Sequence, residues 1–107
     1  MHGSCGLKKF VVTELYSYNL KGLMRKVGSM FSIETVCFIG LHLVRTLENI
    51  HNLGFLHLDI KPENVMLKFL PGKRDLDSNS LVLIDYGISK KYVDANGFHI
   101  PFCQDLQ

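Results

Sequence analysis

Apolar or small residues recur at three- and four-residue spacing through the middle of the chain: Ile33, Val36, Ile39, Gly40, Leu43, Leu47 and Ile50. That period predicts a long helix. Ser32 is a good N-cap, Glu34 would face the positive end of the first turn, and Gly54 fits just past the helix end. About 20 residues at ~1.5 Å each span roughly 30 Å, about one domain diameter. Cys37, Phe38, Leu41 and Val44 lie off the main stripe, so the helix is apolar on more than one side. Such a helix calls for cover nearly all round.

Shorter patterns flank it. Phe10-Val11-Val12 reads as a strand. Ser17-Tyr18-Asn19 is turn-like, with Asn19 placed to cap a short helix from Leu20 to Lys26 that ends at Gly28-Ser29. Phe55-Leu56 is a brief strand-like run. Val65 to Phe69 and Leu81 to Ile84 read as two strands of an antiparallel hairpin, joined by the polar, turn-rich segment Leu70 to Ser80. Lys90 to Gln107 has no periodicity and reads as a loop. The expected class is α+β.

Composition narrows the function. With 107 residues there is room for one small domain. Hydrophobic residues at 47% and charged residues at 21% are an ordinary globular balance, so disorder is not expected. A net charge of +2 gives no strong pull toward nucleic acid, and the pairs Lys8-Lys9, Lys73-Arg74 and Lys90-Lys91 are scattered, as on a solvated surface. Cys5, Cys37 and Cys103 are odd in number and lack a C-x-x-C, so neither a zinc knuckle nor a disulfide framework is expected. Reduced thiols point to an intracellular protein, cytoplasmic or nuclear. The apolar run Val36 to Val44 contains His42 and stops at Arg45, far short of a membrane span, and the N-terminus shows no signal-peptide pattern.

The chemistry lies in His57-Leu58-Asp59-Ile60-Lys61-Pro62-Glu63-Asn64 and, downstream, Leu83-Ile84-Asp85-Tyr86-Gly87. The two runs resemble the catalytic loop, H-R-D-x-x-x-x-N, and the metal-binding D-F-G turn of protein kinases. The resemblance implies phosphoryl transfer from ATP with Mg²⁺. Asp59 is then the catalytic base, since an attacking hydroxyl needs a carboxylate to orient it and accept its proton. Asn64 and Asp85 would hold Mg²⁺, which prefers oxygen donors. Lys61 would neutralise the transferring phosphate. His57 would support the loop rather than act as acid or base. Gly87 is expected to supply a positive φ for the sharp turn after Asp85.

Further landmarks are similar to the casein kinase 1 group of serine/threonine kinases. They are Phe10 to Leu15, Phe31 to Val36, the run Asp85 to Tyr92 and His99-Ile100-Pro101-Phe102. The tyrosine after Asp85 is similar to that of the vaccinia-related kinases. By this likeness Thr13 is the gatekeeper beside the adenine, the backbones of Glu14 and Tyr16 hydrogen-bond its edge, and Met66 lies beneath its ring. Residues 1–18 would be the end of a small lobe and the hinge, and 19–107 the first part of a large lobe. The partner implied is a protein substrate carrying Ser or Thr; neither nucleic acid nor membrane is expected.

Three departures qualify that likeness. Leu58 replaces the arginine of H-R-D, so switching through a phosphorylated activation loop is not expected. The segment from Leu70 to Ser80 is longer than usual. No Gly-rich loop with its phosphate-clamping lysine precedes Phe10, and the chain stops within the activation segment. The 107 residues alone are therefore expected to show no turnover. An inactive remnant that binds nucleotide or protein is the alternative.

Overall fold

Two polar side chains start the α-helices of the described residues. In the computed structural model, which describes residues 1–28, 30–68 and 80–101, Asn19 accepts a hydrogen bond from the Gly22 N–H at 2.7 Å and caps α1 (Leu20–Lys26). Ser32 does the same for α2 (Ile33–Asn52), accepting from the Thr35 N–H at 3.2 Å. Each satisfies an N–H that the first helical turn leaves unpaired. Both helices match their expected bounds. Gly54 ends α2 with φ 83°, in the left-handed region that glycine occupies without strain.

Among the described residues, seven short strands form three small sheets. They are β1 (His2–Cys5), β2 (Lys8–Val11), β3 (Tyr16–Asn19), β4 (Phe55–Leu56), β5 (Val65–Lys68), β6 (Leu81–Leu83) and β7 (Lys90–Lys91). β1 pairs with β2, β4 with β7, and the third sheet has the order β3-β5-β6, all antiparallel. A 3-10 turn at Pro62–Asn64 leads into β5.

Several expectations need correction. Ser17-Tyr18-Asn19 is not a turn: Tyr16 pairs with Lys68 and Asn19 with Met66, with an irregular register between them. The start of the expected terminal loop is also ordered by pairing. Lys90 opposes Leu56, Lys91 opposes Phe55, and Val93 bridges to His99. The β1 strand had no signal in the sequence. Ser29, residues 69–79 and residues 102–107 lie outside the described residues, so the helix end at Ser29, Phe69, most of the segment from Leu70 to Ser80, Phe102 and Cys103 are not placed. Cys5 and Cys37 are free and exposed.

The core lies between the β5–β6 hairpin and the helices. Val65 opposes Leu83 and Leu67 opposes Leu81, and all four are buried. They pack with Leu20 from α1 and Ile39 and Ile50 from α2. Burying each such side chain contributes about 1.5–3 kcal/mol. Leu43 and Leu47 support the cluster, but Ile33 and Val36, at the start of the stripe, are exposed. Leu41 and Val44 are exposed as well, so much of α2 is apolar surface without cover among the described residues. His42 Nε2 donates to the Leu81 carbonyl at 2.9 Å and ties α2 to β6. Among the described residues no helix is long and apolar enough to cross a membrane.

Candidate active site

The loop that follows β4 is organised around His57, whose side chain is fully buried. The Asp59 N–H donates to its Nδ1 at 3.2 Å. Nδ1 must then be the unprotonated nitrogen, so Nε2 carries the hydrogen and donates to the Ile84 carbonyl at 3.0 Å. Tyr86 meets the imidazole edge-on at 4.8 Å between ring centres. One side chain thereby joins the segment holding Asp59 to the segment holding Asp85. A second link reinforces it: the Ile84 N–H donates to the Asn64 carbonyl at 2.8 Å.

Asp59 sits within a hydrogen-bonded cluster. Asn64 Nδ2 donates to the Asp59 carbonyl and to its Oδ2, both at 2.9 Å. Lys61 Nζ reaches the same Oδ2 at 2.8 Å. The Asn64 N–H closes the turn on the Lys61 carbonyl at 2.9 Å. The hydrogen bond from Lys61 holds the Asp59 carboxyl below its ordinary range, aided by Asn64. The same bond holds Lys61 above the ordinary lysine range, with the charges of Asp59, Glu63 and Asp85 adding to it. Asp85 therefore faces the same electrostatic neighbourhood as Asp59 and Lys61.

Two residues flanking this hub have unusual backbones. Leu58 has φ 69° and Asp85 φ 64°. The positive φ expected at Gly87 falls instead on Asp85, a residue type whose short polar side chain tolerates it. The Gly87 N–H donates to Asp85 Oδ1 at 3.2 Å, which turns the carboxylate back over the chain. A Cβ at Gly87 would lie 3.1 Å from that oxygen, so this glycine serves close approach rather than dihedral freedom.

A cleft of ≈ 760 Å³ opens beside Asp85, and Asp59, Lys61 and Asn64 are not among the residues that line it. Thr13, Tyr16 and Asp85 line it together, along with Val11, Tyr86 and Gly87. Burial pushes the Tyr86 phenol up, and the nearby Tyr16 adds to the effect. Glu14 and Met66 are not among the lining residues. The Glu14 carboxylate turns to Lys68 at 3.4 Å and its carbonyl accepts from the Thr13 hydroxyl at 3.1 Å. Met66 sits on β5 opposite Val82, which itself lines the wall. Val11 and Tyr86 were not anticipated in the cleft; their aromatic or β-branched character alone carries no such signal.

The oxygen donors suit a hard divalent ion. Mg²⁺ usually takes one or two carboxylates and completes its shell with waters and substrate phosphates. Asn64 turns its amide nitrogen to Asp59, so its oxygen is the atom with ligand chemistry, and Asp85 offers a carboxylate. Among the described residues no three His, Cys, Asp or Glu side chains gather into a cage that would hold a metal by themselves.

A loop carrying Asp, Lys and Asn, tied through a histidine to the segment that holds a second Asp, is the arrangement found in the protein kinase class. The sequence profile of the Protein kinase domain matches residues 7–104, and the chain belongs to that family. It is 37% identical over 100 residues to a probable casein kinase I homolog of Encephalitozoon cuniculi, covering 94% of this chain and 29% of that protein. It is 36% identical over 89 residues to a probable serine/threonine-protein kinase of Dictyostelium discoideum, covering 82% of this chain and 17% of that protein. The chain thus spans under a third of the length of either relative. Protein kinases as a family use ATP and Mg²⁺ and act on protein substrates.

Proposed function

We propose that the chain contributes the hinge, long helix and catalytic loop to a casein kinase 1-like enzyme that phosphorylates Ser or Thr hydroxyls of proteins with Mg-ATP. The observation that carries the reading is the Asp59 cluster, joined by His57 to the backbone of Ile84 beside Asp85. Residues 1–18 act as the end of the small lobe and the hinge, and 19–107 as the first part of the large lobe.

In this reading Asp59, held ionised by Lys61 and Asn64, orients the substrate hydroxyl and takes its proton. A carboxylate so stabilised is a weak base in the ground state. It suits a loose transition state, in which the hydroxyl loses its proton late and positioning matters more than basicity. Lys61 places positive charge where the transferring group becomes anionic. Asn64 and Asp85 hold Mg²⁺, which when bound neutralises charge on the phosphates. Thr13 lies beside the adenine, the backbones of Glu14 and Tyr16 meet its edge, and Met66 supports it from below. The Glu14 carbonyl, which accepts from the Thr13 hydroxyl, has a second lone pair to serve in that way.

A chimera tests the reading. The matched 100 residues of the Encephalitozoon cuniculi relative are replaced by those of this chain. Mg-ATP-dependent phosphorylation of a Ser/Thr peptide is expected, with its loss in Asp59→Asn. Activity that survives that substitution overturns the role of Asp59. A chimera that binds Mg-ATP without transfer supports the alternative, a nucleotide-binding remnant.

A further inference from the structure

We propose that Lys21 is a positioning residue for the catalytic loop, acting through Glu63 on Asn64 and Lys61. Lys21 lies on α1, 42 residues before Glu63 in the chain, and its ammonium forms an ion pair with the Glu63 carboxylate. Glu63 occupies the centre of the 3-10 turn Pro62–Asn64, next to Asn64. Asn64 is buried and holds both the backbone and the carboxylate of Asp59. Lys61, just before that turn, holds the same carboxylate. A continuous row of alternating charge therefore runs from Lys21 through Glu63 and Lys61 to Asp59.

The anchoring end is firm. α1 begins at Leu20, which is buried in the core, and its cap Asn19 is paired to Met66 of β5. Lys21 follows directly on that fixed point. At the other end, Glu63 has two cations within electrostatic reach, Lys21 and Lys61. With Lys21 in place, Glu63 is satisfied from α1 and Lys61 remains on Asp59. Without it, Glu63 competes with Asp59 for Lys61, and the turn loses its ionic tie to α1.

This inference rests on the catalytic-loop reading, and the test separates the two. The full chain is prepared as wild type, Lys21→Glu, Glu63→Lys, the double charge reversal, and the milder Lys21→Met. Two quantities are read: the NMR position of the Asn64 side-chain amide, and affinity for Mn²⁺-ADP. Unchanged amide signals of Ile39 and Ile50 certify the core in each variant. Single reversals are expected to shift the Asn64 amide and weaken Mn²⁺-ADP by roughly two- to fivefold, the range of a partly exposed pair. The double reversal is expected to recover both in part, because it remakes the tie to α1 but sets two cations side by side at positions 61 and 63. If Lys21→Glu unfolds the chain, Lys21→Met gives the same reading with a smaller shift. An Asn64 amide that stays put in the single variants, or a double variant no better than they are, overturns the proposal. Failure of the wild type to bind Mn²⁺-ADP leaves the catalytic-loop reading to the chimera above, and the Asn64 signal still decides the role of Lys21.

Discussion

His57 Nε2 donates to the Ile84 carbonyl at 3.0 Å, and this bond spans the gap between the two acids of the site. Both its partners are backbone groups fixed in short segments, so the ring acts as a clamp. Replacing His57 by Ala removes a fully buried side chain and strands the Ile84 carbonyl. The expected loss is about 2–4 kcal/mol from the cavity and the unmade hydrogen bond. Urea unfolding followed by circular dichroism measures it; a change below ~1 kcal/mol contradicts the clamp.

Leu58 offers a gain in stability. Its φ of 69° is costly for a residue with a branched side chain, and that side chain is exposed. Leu58→Asn is expected to stabilise by about 0.5–1 kcal/mol, because asparagine accepts the left-handed region more readily. Leu58→Val is expected to destabilise by a similar amount. Thermal melts of the two variants should move in opposite directions.

Acid and base act on the Asp59–Lys61 pair with opposite signs. Asp59 is lowered from an ordinary 3.8, so its contribution to stability is complete above that value and is lost as pH falls through the lower, folded-state value. Lys61 is raised from 10.5, so its contribution is complete below that value and is lost as pH rises through the higher, folded-state one. Between these limits the pair contributes a plateau. Asp59→Asn is expected to flatten both ends of the melting-temperature profile. An acid limb as steep as in the wild type argues against the pair.

Gly54 packs where no side chain fits. A Cβ there would lie 2.6 Å from Val93 Cγ2, at a φ of 83°. Gly54→Ala is expected to cost about 2–4 kcal/mol, part from the dihedral and part from the clash. Adding Val93→Ala relieves the second part only. A double variant restored fully to wild-type stability would show that the dihedral carries none of the cost.

The helices were legible in the sequence because their signals are local. Asn19 and Ser32 cap within three residues, and the α2 stripe repeats inside one element. The strands were less so. β1 is His2-Gly3-Ser4-Cys5, which has no alternation to read, and it exists through its pairing with Lys8–Val11. β3 depends on a partner some 50 residues away, as the Ser17 hydroxyl donating to the Leu67 carbonyl illustrates. Two lysines make an unpromising strand, yet Lys90 and Lys91 pair with β4, and Lys91 lies over the Phe55 ring. At the site, Asp59, Lys61 and Asn64 stood out through their resemblance to the kinase catalytic loop, while their hydrogen bonds to one another were not anticipated. The ion pair of Lys21 with Glu63 had no local trace, since the fold alone brings those residues together.

The contact between Lys61 and Asp59 also ranks visitors. An anion arriving at that ammonium meets the donors not turned to Asp59, and beside them a carboxylate 2.8 Å away that repels it. What it gains is the attraction of the one less the repulsion of the other, so an anion whose charged oxygens reach past the carboxylate gains most. Chloride will therefore leave the resonance of the Lys61 amine almost untouched, sulfate will move it, and pyrophosphate will move it most. Selection by valence emerges without a dedicated filter.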